Sequence, residues 1–146
     1  MADVPPQQVE ISQDTKIQMK RDKVRLLNVP VGTAGGIDDF VFDTGANFSV
    51  VSKSFAEKMK LKPCKASFDV DNINGGDVKS ELGVADSLNL GGIIIRNVVF
   101  LVMPDSKLSF PQLDYKINGI IGFPVIHGLK EIHINRESNV LTIPKT

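Results

Sequence analysis

Apolar and polar residues alternate in short runs along most of this chain. Val9 and Ile11, and then Ile17 and Met19, are each separated by one polar residue. A period of two puts alternate side chains on opposite faces of a strand, so two short strands are predicted near the start. Val24 to Val31 predicts the next strand. Thr33-Ala34-Gly35-Gly36 marks a turn, and Ile37 to Phe42 predicts a returning strand that ends in Phe40-Val41-Phe42. After Asp43-Thr44-Gly45-Ala46-Asn47, β-like spacing resumes through Phe48-Ser49-Val50-Val51. Ser52 reads as the N-cap of a helix. That helix would carry Phe55, Ala56 and Met59 on one face, with Lys53, Glu57, Lys58 and Lys60 on the other and Pro63 as its stop.

The second half continues in the same manner. Residues 68–71 and the chain from Val78 onward flank a turn-rich tip, Asn72-Ile73-Asn74-Gly75-Gly76, which predicts a β-hairpin. A longer strand runs to Leu90, Gly91-Gly92 turns it, and Ile93 to Val102 is the most β-rich stretch. Pro104 to Lys116 reads as a polar loop and an insertion. Ile117 to Ile121 predicts a short apolar strand, and Pro124 opens a short helix that ends near Gly128. Ile132 to Asn135 and Val140 to Ile143 predict a closing hairpin around residues 136–139. Many short strands, regular turns and one or two short helices predict an all-β fold, a closed barrel or sandwich. Residues 1–22 read as an N-terminal extension with short strands and residues 23–146 as the main domain.

Composition narrows the choice of function. At 146 residues the chain has room for one substantial core. Hydrophobic residues make up 42% and charged residues 23%, an ordinary globular balance. Seventeen basic residues cancel seventeen acidic ones, so no basic surface is on offer to nucleic acid. The one cationic cluster, Lys16 to Lys23, is short and contains Asp22. No apolar run is long enough to cross a bilayer, and residues 1–13 lack the charged start and apolar stretch of a signal peptide. Cys64 is the only cysteine, which rules out an internal disulfide. His127 and His133 lack a third ligand at suitable spacing, so neither a metal site nor a cofactor is expected.

The candidate chemistry sits in Asp43-Thr44-Gly45, directly after the apolar triplet Phe40-Val41-Phe42. A hydrophobic strand that delivers a carboxyl group to a tight turn holds it rigidly, and partial desolvation would raise its pKa toward a working range. Gly45 lets the backbone approach a ligand closely. A tripeptide is weak evidence alone, since an Asp in a turn often serves only the turn. Two further features follow in order: the Gly-containing tip at Asn74-Gly75-Gly76, and Gly119-Ile120-Ile121-Gly122-Phe123-Pro124.

Together these residues resemble the retropepsin-like aspartic proteases, and their wording is most similar to the bacterial single-domain branch. The resemblance covers roughly Val24 to Ile143 and implies a barrel with a β-hairpin flap. It implies an aspartic endopeptidase in which Asp43 activates a water, Thr44 hydrogen-bonds across a two-fold axis, and Gly45 accepts from substrate backbone. It also implies that Ala46 and Asn47 line subsites, that Asn74, Gly75 and Gly76 form the flap tip, and that Ile120 and Ile121 give the pocket an apolar wall. The chemistry needs two carboxyl groups sharing a proton, and this chain holds one Asp-Thr-Gly. A homodimer joined through the active-site loop, acting on an extended peptide, is therefore expected. Asn47 stands where the retroviral pattern has Asp, and Phe123 where it has Arg, so the charge pair of that pattern is absent. The rival expectation is a catalytically silent peptide-binding or dimerisation module on the same fold.

Overall fold

The computed structural model describes residues 5–64 and 81–146, and the strands predicted from alternation pair within it. The first half holds β1 (Gln8–Val9), β2 (Thr15–Gln18), β3 (Lys20–Arg21), β4 (Leu27–Thr33), β5 (Gly36–Phe42) and β6 (Val50–Ser52). Helix α1 (Lys53–Lys58) and β7 (Lys62–Cys64) follow. Later come β8 (Glu81–Leu90), β9 (Ile93–Met103), β10 (Ser109–Phe110), β11 (Tyr115–Lys116) and β12 (Gly119–Ile121). Helix α2 (Phe123–Gly128), β13 (His133–Asn135) and β14 (Val140–Ile143) complete the chain. The hairpin predicted across residues 68–78, with its tip at Asn74-Gly75-Gly76, lies outside the described residues.

Six strands close on themselves in the order β9, β6, β12, β5, β4, β8, with β8 pairing back to β9. Closure removes the open edges that an all-β protein must otherwise protect. Two of these pairings are parallel: β5 with β12, matching Val41 to Ile120 and Phe42 to Ile121, and β6 with β9. Strands β2, β14 and β13 form a separate three-stranded sheet with β14 in the middle. The N-terminal strands thus pair with distant parts of the chain, β1 with β9 and β2 with β14. Ile11, Ile17 and Met19 enter the same core as the barrel residues.

The barrel wall beneath the candidate site is apolar on both sides. Phe40, Phe42, Val51 and Ile121 point into the main core, while Val41, Val50 and Ile120 belong to a second cluster outside it. Strands covered on both faces carry unbroken apolar runs. That is why Phe40-Val41-Phe42 shows no alternation. The outer cover is Leu108, Phe110, Tyr115 and Ile117.

Four sequence expectations shift. The strand predicted from Val24 begins at Leu27. The Asp22 carboxylate accepts from the Val24 and Leu26 amides, both at 2.9 Å, and Arg25 takes a φ of 65°, so the chain turns there first. Helix α1 does start on a Ser52 cap, with the Phe55 amide donating to Ser52 Oγ at 3.2 Å. It ends at Lys58, before Pro63, because Lys60 adopts a φ of 55°; Pro63 lies inside β7. The strand predicted from Ile117 begins at Gly119. Finally, 104–116 is more than a polar loop. It contains two single turns of 3₁₀ helix, Asp105–Leu108 and Pro111–Leu113, the β10–β11 hairpin and the buried Leu108.

Candidate active site

Asp43 is the first residue past β5. Phe42 ends the strand pointing inward, and the Asp43 amide continues the parallel ladder by donating to the Ile121 carbonyl at 3.0 Å. The chain then turns tightly. Asp43 Oδ1 accepts from the Gly45 amide at 2.9 Å, and the Asp43 carbonyl accepts from the Ala46 amide at 3.3 Å. This is the turn that a short acidic side chain makes with backbone two residues on. It fixes one carboxyl oxygen in place.

The far side of the loop is fastened to the start of α2. The Phe123 amide donates to the Ala46 carbonyl at 2.8 Å, and the Gly122 amide donates to Ser49 Oγ at 3.0 Å. Ser49 is 2% exposed, and its carbonyl also accepts from the Leu101 amide at 2.8 Å. Gly122 lies so close to the loop that a Cβ would sit 2.7 Å from the Phe48 carbonyl carbon and 3.0 Å from the Ala46 oxygen. No side chain fits. Residues 43–49 are therefore held from both ends by a scaffold whose strands are buried on both faces.

Asp43, Thr44, Gly45 and Asn47 are exposed, and Ala46 is half-buried. The desolvation expected for Asp43 is thus not supplied within one chain. Its carboxyl group lies beyond the strand end, past the last inward-facing residue. Among the described residues its only hydrogen-bond donor is the Gly45 amide, and the Thr44 hydroxyl has no partner. Among the described residues, a Cβ on Gly45 would meet nothing nearer than Asp43 Oδ1 at 3.5 Å. Ile121 is 1% exposed and faces the main core, while Ile120 packs into the outer cluster with Val41. Both side chains back the loop from behind. Asn74, Gly75 and Gly76 lie outside the described residues. No group of three or more His, Cys, Asp or Glu suited to a metal ion occurs among the described residues.

Sequence reasoning overlooked Ser49. The available signal was its place in Phe48-Ser49-Val50-Val51, a polar residue in an otherwise apolar run, which needs a partner if it is buried.

The aspartyl protease family model matches residues 22–125. The chain belongs to the aspartyl protease family. Comparison with curated protein sequences finds no match. Among solved structures, the chain is similar to a retropepsin-like aspartic protease from Rickettsia conorii. The TM-score is 0.60 at 18% identity, over 97% of this chain and 96% of the other. It is also similar to the retroviral protease-like domain of Ddi1 from Leishmania major, with a TM-score of 0.54 at 21% identity, over 85% of this chain and 96% of that one. At these identities the structures show a shared fold, the retropepsin-like barrel that this aspartyl protease family member adopts.

Proposed function

We propose that this aspartyl protease family member is an aspartic endopeptidase that becomes complete as a homodimer, with Asp43 supplied by each chain. One observation carries the reading. A single carboxyl group, exposed yet fixed by its own turn and by a loop clamped at both ends, stands beside a threonine hydroxyl with no partner among the described residues. That is the form of half a site. Two such loops facing across a two-fold axis would bring the carboxyl groups to about 3 Å, where like charge prevents both from ionising. The pair then shares one proton at a given pH, and its apparent pKa values belong to the dyad.

The chemistry follows from that sharing. The ionised carboxylate takes a proton from water as its oxygen attacks the scissile carbonyl, and the protonated partner gives its proton to the carbonyl oxygen. Collapse of the resulting diol breaks the C–N bond, and the amine leaves with a proton returned through the dyad. No metal enters these steps. The Thr44 hydroxyls would bond across the axis, the Gly45 carbonyl would accept from substrate backbone, and Ala46 and Asn47 would line subsites. Asn74, Gly75 and Gly76 would form a tip that closes over an extended peptide and excludes water. Ile120 and Ile121 would stiffen the wall behind it.

The test is cleavage of an unstructured protein at acidic to neutral pH, with Asp43→Asn as comparison. Turnover should fall by about 10³-fold or more while circular dichroism is unchanged. A statine-type transition-state mimic should inhibit the wild type, and a chelator should not. Retained turnover in Asp43→Asn would reject the assignment. A folded dimer that does not cleave would favour the catalytically silent module, a peptide-binding one if it still binds the mimic and a dimerisation one if it does not.

A further inference from the structure

The outer apolar cluster has a position that a simple surface loop would not need. Val41 and Ile120 are paired neighbours in the parallel β5–β12 ladder, and each lies directly before a residue that holds the site. Phe42 leads into Asp43, and the Ile121 carbonyl accepts the Asp43 amide at 3.0 Å. On the outside of that pair, Val41 is 2% exposed, Leu108 8% and Ile117 6%, with Phe110 and Tyr115 packed around them. The Phe110 and Tyr115 rings stack at 6.5 Å between centroids.

The covering segment is anchored at both ends. Asp105 accepts from the Ser54 amide at 3.0 Å and from the Ser54 hydroxyl at 2.5 Å, which ties the first end to α1. The Tyr115 hydroxyl donates to Asp22 Oδ2 at 3.0 Å, which ties the second end to the turn before β4. The same Asp22 oxygen accepts from Asn28 Nδ2 at 2.8 Å, and Asn28 is 4% exposed on β4, next to β5. Just past Tyr115, the Ile117 amide donates to the Leu108 carbonyl at 2.8 Å.

We propose that residues 105–117 form a brace that sets the position of the Asp43 loop, with Leu108 and Tyr115 as its positioning residues. The proposal rests on the reading of Asp43 as the catalytic carboxylate. A close carboxyl pair is sensitive to small displacements, since an error of about 1 Å far from the chemistry can cost about 10²-fold in rate. The β5–β12 pair holds Asp43 from behind through the ladder, by way of the Ile121 carbonyl, and this segment covers its outer face. Slack in the cover would let the two strand ends shift together.

The experiment compares Leu108→Ala, Leu108→Met and Tyr115→Phe with Ile143→Val, a control in the separate three-stranded sheet. Two readouts are taken: the pH profile of kcat, and amide exchange at Asp43, Ala46 and Phe123. In Leu108→Ala, kcat should fall about tenfold or more with KM within about twofold, because positioning and not binding is lost. The bell-shaped profile should narrow, since carboxyl groups held less closely couple less strongly. Exchange at the three amides should quicken. Leu108→Met should restore all three readouts, Tyr115→Phe should shift them in the same direction by less, and the control should leave them alone. The proposal is overturned if exchange changes stay within 105–117, or if the control moves the readouts as much. Should Leu108→Ala fail to fold, Tyr115→Phe decides by the same criteria. A wild type without Asp43-dependent cleavage would remove the protease reading, and the exchange comparison alone would then judge the brace.

Discussion

A methyl group at Gly122 would be driven into the backbone of Phe48 and Ala46, which is the loop's own main chain and cannot rotate aside as a side chain would. The backbone φ of −104° is ordinary, so the requirement is for space and not for glycine's conformational freedom. Gly122→Ala should therefore cost about 1–3 kcal/mol in urea unfolding, the usual penalty for overpacking, and should lower kcat by displacing residues 46–48. Ser49→Ala tests the neighbouring contact from the opposite direction. It leaves the Gly122 amide without its acceptor in a buried place, at a cost of about 1–3 kcal/mol measured in the same way. An unchanged midpoint in both variants would mean that the loop is not fastened where the contacts place it. Asp-Thr-Gly was legible because its turn is made by neighbours: the carboxyl group bonds the amide two residues later. The Ser49 contact was not, because its partner lies seventy-three residues away and no local pattern announces it.

The proposed brace and the β5–β12 ladder behind Asp43 meet in elements that were partly legible from the residues. Consecutive apolar residues at Phe40-Val41-Phe42, Val50-Val51 and Ile120-Ile121 require cover on two faces. Leu108, Phe110 and Tyr115 were available to supply it, but the polar residues around them made 104–116 look like an open loop. The strand predicted at Val24 failed for the reverse reason. Its apolar residues fit a strand, and one carboxylate two residues earlier captured the local amides instead. Both anchors of the brace are carboxylates. For Asp22, burial pushes the pKa up, but hydrogen bonds from Leu26, Asn28, Tyr115 and Val24 outweigh it and leave the pKa below 3.8. For Asp105, the Ser54 hydroxyl and amide are the leading causes of a pKa also below 3.8. A folded pKa below the unfolded one contributes stability above the unfolded value, and that stability is lost as pH falls through the folded value. The brace should accordingly stay pinned through the ordinary carboxylate range and loosen only below about pH 3.8. Tyr115 is the single tyrosine and the chain has no tryptophan, so intrinsic fluorescence reports this contact directly. Burial, then the bond to Asp22, pushes its pKa up to about 12, and phenolate absorbance should appear there and not near 10.0. A fluorescence transition well above pH 4, or a phenolate titrating near its ordinary value, would contradict the contact.

At the scale of the molecule, local patterns give strands but not their neighbours. The closing hairpin of β13 and β14 was legible because its strands adjoin in sequence. The parallel pairings of β5 with β12 and β6 with β9 join segments far apart, and nothing local fixes their register. Both pairings belong to the closed ring, and that of β5 with β12 brings Asp43 beside Gly122. The finished barrel still carries one Asp-Thr-Gly, exposed, with no second carboxylate bonded to it among the described residues. If the working unit is a pair, activity must follow assembly as well as concentration. Specific activity should fall on dilution below the dimer dissociation constant, whereas a self-sufficient monomer would keep it constant. Mixing gives a sharper test. Wild type and Asp43→Asn, combined in equal amounts and allowed to exchange, should yield about one quarter wild-type dimers by random pairing. Mixed dimers hold one carboxylate and one amide, which cannot share a proton as the mechanism demands. Activity per wild-type chain should therefore drop to about half of its unmixed value once exchange is complete, and should stay whole if each chain works alone. Sedimentation of the same mixture must show the dimer throughout, so that lost activity reflects a broken carboxyl pair and not a broken assembly.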